Sequence, residues 1–188
     1  MARYLDNPTV FPPGSLRGKT LVDLGSGCGL VAAVAAKHGA RVLAVDKQIV
    51  MQVLTDNLRT NGVLVEPEEA VALRVQAVAG AGTGVGTGAG SGAADSSCYL
   101  PPGRVVAEEL LWGPGVSHPV APFDICIAAA CLYMPKTVPL LLETLHALSD
   151  DKSLIILAAI IGQNTLEHFL EVRNQPSAQS PVSRAKKN

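Results

Sequence analysis

The chain has 188 residues, 48% of them apolar, with a formal net charge of −1. That length suits one domain with a real core, and the apolar share excludes a globally disordered chain. The near-neutral balance gives no electrostatic reason for nucleic acid to be the partner, and no apolar run reaches the length of a bilayer span.

Aromatic residues make up 4% of the chain, so the core must come from Val, Leu, Ile and Ala, as in buried parallel sheets. Cys28, Cys98, Cys126 and Cys131 form no CxxC pair and no His/Cys cluster of zinc spacing. No metal site is therefore expected, and reduced thiols in a cytoplasmic protein are. The first residues lack the apolar stretch of a secretory signal.

Residues 1–19 hold a short helical fragment followed by Pro12, Pro13, Gly14 and Gly18 as breakers. Thr20–Leu24 (TLVDL) reads as a buried strand. Residues 29–38 read as a helix with Leu30, Val31, Val34 and Ala35 on its apolar face and Gly39 as the stop. Arg41–Asp46 is a second buried strand. Gln48–Thr60 is a second helix, with Ile49, Val50, Val53, Leu54 and Leu58 inward and Asn61-Gly62 closing it. Strand, helix, strand, helix predicts a parallel sheet with right-handed crossovers.

Glycine then occupies every second position from Gly80 to Gly92. Such a tract cannot bury enough surface to offset its ordering entropy, so residues 79–97 are expected to form a flexible surface insert. It lacks the strand-to-helix setting that a phosphate cradle needs. Residues 104–111, 123–129 and 153–161 predict three further strands, the first ended by Trp112-Gly113-Pro114. Val138–Leu148 predicts a helix with Val138, Leu141, Leu142, Leu145 and Leu148 on one face, and residues 163–172 another. Residues 1–172 thus read as a single domain. Residues 173–188, with Pro176, Pro181, Lys186 and Lys187, read as a disordered, solvated tail.

The chemistry concentrates in Val22-Asp23-Leu24-Gly25-Ser26-Gly27-Cys28-Gly29, which joins the first strand to the first helix. Ligands of parallel α/β sheets sit beyond the carboxyl ends of the strands. Gly25 and Gly27 let the backbone turn and approach a ligand, Asp23 offers a carboxylate to an amino group, and the helix opening near Gly29 offers N–H donors. Asp46, about twenty residues beyond, stands where an acid grips ribose hydroxyls. Dinucleotide sites favour G-x-G-x-x-G with pyrophosphate on the helix dipole. Here the spacing is G-x-G-x-G with an acid two residues ahead, which repels pyrophosphate and suits the amino group of a methionyl moiety. S-adenosylmethionine is the better-matched cofactor, with a nicotinamide dinucleotide as its rival and a ligand-free glycine turn as the bland reading. Trp112 ends its strand on the same sheet edge, where an indole either flanks an adenine or simply packs.

At this point LVDLGSGCGLVAAVAAKHGARVLAVD resembles the cofactor motif of class I, seven-β-strand S-adenosylmethionine-dependent methyltransferases. ARYLDNP, DNLRTNG, ELLWG, FDICIAAACLY and VPLLLETL narrow the resemblance to the methyltransferase-like protein-lysine methyltransferases, of the valosin-containing-protein lysine methyltransferase type. It covers residues 2–172 apart from about 64–102. It implies an α/β, Rossmann-like class I methyltransferase sandwich, a mostly parallel sheet with helices on both faces, truncated at both ends. It implies cofactor contacts from Gly25, Ser26, Gly27, Asp46, Trp112 and Ala129. Tyr133 matches the tyrosine of the family's D-x-x-Y motif, the one catalytic position carried over.

The implied activity is methyl transfer to a lysine of a protein substrate by a monomer, with neither nucleic acid nor membrane as partner. The chain departs from the pattern at Ala130, which stands where D-x-x-Y has its aspartate. That departure makes a catalytically impaired cofactor-binding or interaction module of the same fold the alternative. A methyltransferase acting on small molecules or nucleic acid is a further one, since fold does not set substrate.

Overall fold

The computed structural model describes residues 1–65, 100–159 and Glu171. The glycine-rich stretch at 79–97, the helix expected over 163–172 (save Glu171, which is helical) and the tail at 173–188 lie outside the described residues. Among the described residues five strands form one parallel sheet: β1 (Thr20–Leu24), β2 (Arg41–Asp46), β3 (Arg104–Glu109), β4 (Ile125–Ala129) and β5 (Leu154–Ala158), in the order β3-β2-β1-β4-β5. β1 and β2 pair in full, from Thr20 opposite Arg41 to Leu24 opposite Val45. Among the described residues no helix is long and apolar enough to cross a membrane.

The helices cover both faces. α1 (Ala2–Leu5), α2 (Leu30–Lys37) and α3 (Gln48–Thr60) pack on one side, where Leu5, Leu21, Val42, Ala44, Leu54 and Ile127 form a buried cluster. On the other, α4 (Val138–Leu148), entered through a 3₁₀ turn at Pro135–Thr137, presses Leu141, Leu145 and Leu148 against Val22, Leu24, Val45 and Phe123. Strand residues alternate between these two clusters, so each strand is apolar on both faces. At the opposite end of β1, the Thr20 amide and hydroxyl both donate to Asp124 Oδ2, at 2.9 and 3.0 Å, and Lys19 Nζ reaches Oδ1 at 3.0 Å. This clamp sets the β1–β4 register.

The elements fall where the periodicity places them, with three local differences. α2 buries Ala32, Ala33, Ala35 and Ala36, while Leu30 is exposed and Val31 and Val34 are half-buried. Small side chains let the helix lie close to the sheet, so the face it presents is the alanine face. In α3, Leu54 and Leu58 are buried but Ile49 is 88% and Val53 55% exposed. The arc from Ile49 to Leu58 spans about 180° around a helix, wider than one sheet face can cover. In α4 the inward row holds, with Thr144 fully buried and Leu142 only partly so.

Candidate functional site

Strand order reverses direction at β1, whose neighbours are β2 on one side and β4 on the other. The connections leaving β1 and β4 therefore part, and the space beyond their carboxyl ends is where a sheet of this topology takes its ligand. The loop after β1 fills its floor. The Gly25 and Ser26 amides both donate to the Val45 carbonyl, at 2.9 and 3.0 Å, which ties the loop to β2. The Ser26 hydroxyl donates back to the Asp23 carbonyl at 2.8 Å, and the Gly29 amide closes the turn on the Ser26 carbonyl at 2.9 Å.

Three glycines share this loop for different reasons. A Cβ at Gly25 would stand 2.9 Å from Cys131 Sγ and 3.2 Å from Trp112 Cζ2, so the indole and the thiol are seated on the backbone there. A Cβ at Gly29, whose φ is +79°, would stand 2.7 Å from Leu54 Cδ1 and 3.1 Å from Leu58 Cδ2. Gly29 thus lets α3 approach the loop. Its amide, expected as a free donor, is already taken by Ser26. A Cβ at Gly27 meets nothing within 4 Å and would project into open space. Gly29→Ala is expected to destabilise the chain by about 2–4 kcal/mol, since it combines a left-handed alanine with overpacking. Urea unfolding checks this.

The two acids flank the loop. Asp46 ends β2, and its Oδ2 accepts the Gly27 amide at 2.8 Å while its Oδ1 accepts the Lys47 amide at 2.7 Å. Both oxygens are aimed by backbone and each keeps a lone pair. Asp23, 1% exposed, lies under the loop with its Oδ2 buried and unpartnered among the described residues. Burial pushes its carboxyl up to about 7. The Ser26 hydroxyl and the Ala32 amide oppose the rise, and the Asp46 carboxylate adds to it. A buried acid with a spare oxygen is poised to accept a cation.

Trp112 stands three residues past the end of β3, not at the strand end the sequence suggested, because the strand pairs with β2 only as far as Glu109 opposite Asp46. From that loop its half-buried indole covers Gly25. Ala129 ends β4, half-buried at the same edge. Tyr133 lies on the following turn, 76% exposed, and makes no hydrogen bond among the described residues. The structure thus brings Asp23, Gly25, Ser26, Gly27, Gly29, Asp46 and Trp112 together, with Ala129 at the neighbouring strand end and Tyr133 at the rim.

Cys131 is the participant that sequence reasoning passed over as an ordinary buried thiol. Its Sγ donates to the Leu24 carbonyl at 3.2 Å and so ties the β4 loop to the glycine loop. Its place two residues past a strand end on this edge was the available signal. Ala130 has φ +58°, a left-handed conformation that favours Gly, Asn or Asp over alanine, and its amide donates to the Ala158 carbonyl at 2.6 Å. An aspartate adopts this backbone conformation at less cost than the alanine present. Ala130→Asp is expected to fold with a stability gain of roughly 0.5 kcal/mol, the size of relieved left-handed strain. A thermal melt beside the unmodified chain checks it.

Comparison with known proteins agrees with this geometry. The lysine methyltransferase family matches residues 1–76 and 95–175. The protein N-lysine methyltransferase METTL21A of Danio rerio is 29% identical over 169 residues, covering 87% of this chain and 60% of that protein. Its Mus musculus counterpart is 28% identical over 186 residues, covering 97% of this chain and 66% of that protein. The chain therefore spans roughly two thirds or less of the length of the curated relatives it matches. Among solved structures, the S-adenosylmethionine-dependent methyltransferase SibL aligns with a TM-score of 0.51 at 14% identity, over 98% of this chain and 39% of that one. Precorrin-6y C5,15-methyltransferase from Geobacter metallireducens aligns with a TM-score of 0.50 at 14% identity, over 83% of this chain and 60% of that one. These two share the fold, the class I methyltransferase sandwich. With the family's sequence pattern lying across the strands, the glycine loop and both acids described above, the chain belongs to the lysine methyltransferase family.

Proposed function

We propose that the cleft binds S-adenosylmethionine and that the protein transfers its methyl group to the side-chain amine of a lysine in a protein substrate. The observation that carries the reading is the buried, unpartnered oxygen of Asp23 beneath a glycine loop anchored to Asp46. The residues present fit the cofactor. Asp23 has a spare acceptor for its amino group, Asp46 has aimed lone pairs for the ribose hydroxyls, Gly27 leaves space above the loop, and Trp112 and Ala129 line the neighbouring wall. When bound, the cofactor supplies a sulfonium methyl that is already activated toward a nucleophile.

The protein's own part is to position and to dry. A lysine amine must lose its proton before it attacks, and its ordinary pKa is about 10.4. Ala130 offers no carboxylate to take that proton, so the proton leaves to solvent, and the rim near Tyr133 serves to aim the amine. Ala130→Asp is accordingly the change that raises turnover. A reducing, cytoplasmic setting suits the free thiols Cys28, Cys126 and Cys131.

The test is incubation of the chain with methyl-labelled S-adenosylmethionine and a cell lysate, followed by acid hydrolysis and amino-acid separation. Label is expected in methyl-lysine, and more of it with Ala130→Asp. Label in arginine, nucleic acid or small metabolites alone would contradict the reading.

A further inference from the structure

The inward row of α4 is Val138, Leu141, Thr144, Leu145 and Leu148, four aliphatic side chains and one hydroxyl. Thr144 is fully buried. A hydroxyl moved from water into an apolar layer costs free energy unless it finds hydrogen-bond partners there. Thr144 Oγ1 has two. It donates to the Leu140 carbonyl one turn back, at 2.9 Å, and it accepts the Gly113 amide at 3.0 Å. The first bond is local, one that a helical serine or threonine makes to its own helix. The second reaches a loop thirty-one residues away.

That loop carries Trp112. We infer that Thr144 is a positioning residue: through the Gly113 amide it holds the Trp112 indole against Gly25, and so sets the wall that the cofactor's adenine meets. The inference rests on the cofactor reading of the cleft.

Two anchors bracket the indole. On the sheet side, the Leu110 amide donates to the carbonyl of Asp46 at 3.0 Å. On the helix side, Gly113 is buried on α4, and a Cβ there would stand 3.5 Å from Leu140 Cδ2. Between the anchors lie only Leu111, which is exposed, and Trp112, whose Cζ2 comes within 3.2 Å of where a Cβ on Gly25 would stand. Pro114 and Gly115, which follow, are exposed. Without the Thr144 hydroxyl, the Gly113 amide must stay buried with no acceptor or turn toward water. Turning it moves the adjoining indole off Gly25. Thr144 touches neither Gly25 nor the acids, so its effect on the cofactor passes through Trp112.

The test compares the unmodified chain with Thr144→Val, which removes the hydroxyl at nearly constant shape, and Thr144→Ser, which keeps it. Trp112 is the single tryptophan of the chain, so its emission reports the loop directly. In Thr144→Val the emission is expected to move to longer wavelength and its quenching by acrylamide to rise. S-adenosylhomocysteine affinity, read by calorimetry, should fall at least about fivefold, since opening the loop in most molecules lowers apparent affinity by the fraction still closed. Thr144→Ser should stay within about twofold of the unmodified chain. On a Trp112→Ala chain, Thr144→Val should change the affinity by less than about twofold, because the two changes act through one contact. Native emission and affinity in Thr144→Val, a serine variant as impaired as the valine one, or a full fivefold loss on the Trp112→Ala chain overturns the inference while the cofactor reading stands. No binding of S-adenosylhomocysteine to the unmodified chain overturns both.

Discussion

Asp46→Ala is expected to weaken S-adenosylhomocysteine binding by at least about a hundredfold, with only about 1 kcal/mol lost from the fold. The carboxylate is half-buried at a strand end, so its removal leaves no cavity in the core. Its two oxygens hold the Gly27 and Lys47 amides, and those bonds aim the remaining lone pairs outward. Hydrogen bonds to a charged group are worth about 1.5–3 kcal/mol each, and two of them reach a hundredfold. The loop also loses the anchor that holds Gly27 toward β2. Gly27→Arg should reach the same endpoint by another route, because a side chain there meets open space and stands in the cleft. Calorimetric titration of both variants reads the effect, and near-native affinity in both would remove the site from this edge.

The second large effect concerns Asp23 and pH. Its carboxyl is raised from the ordinary 3.8 to about 7, first of all by burial. Between those pH values the unfolded chain has an ionised Asp23 and the folded chain a protonated one. The folded state therefore binds more protons, and stability falls as pH rises from about 4 to 7, then levels. The loss from this one group is on the order of 4 kcal/mol. Asp23→Asn should remove that slope and raise the melting temperature of the ligand-free chain at pH 8. The same change should weaken S-adenosylhomocysteine by at least about tenfold, since the ammonium loses its carboxylate. Binding to the native chain below pH 7 should release a proton, visible as a calorimetric heat that depends on the ionisation enthalpy of the buffer. A stability profile left unchanged by Asp23→Asn would contradict this account of the buried acid.

Much of this was legible beforehand, and the reasons differ by element. TLVDL, RVLAVD and the row from Val138 to Leu148 have one physical solution each, a strand buried on both faces or a helix with one apolar stripe. The glycine–acid spacing could be read because the chemistry at the end of a parallel strand is local in sequence. What escaped was set by contacts between segments far apart. The alanine face of α2 and the exposure of Ile49 depend on how close each helix lies to the sheet. The reason for Gly29 lies in Leu54 and Leu58, some twenty-five and twenty-nine residues on. Cys131 gains its role only when β4 settles beside β1, and the left-handed backbone of Ala130 cannot be seen in an alanine.

One titration bears on the central claim more directly than any other, that of the unmodified chain at pH 8 with S-adenosylhomocysteine and, separately, with NAD⁺. Saturable one-to-one binding of the first and none of the second is the expected result. Binding of NAD⁺, or of neither compound, would contradict the assignment of the Asp23–Gly27–Asp46 cleft.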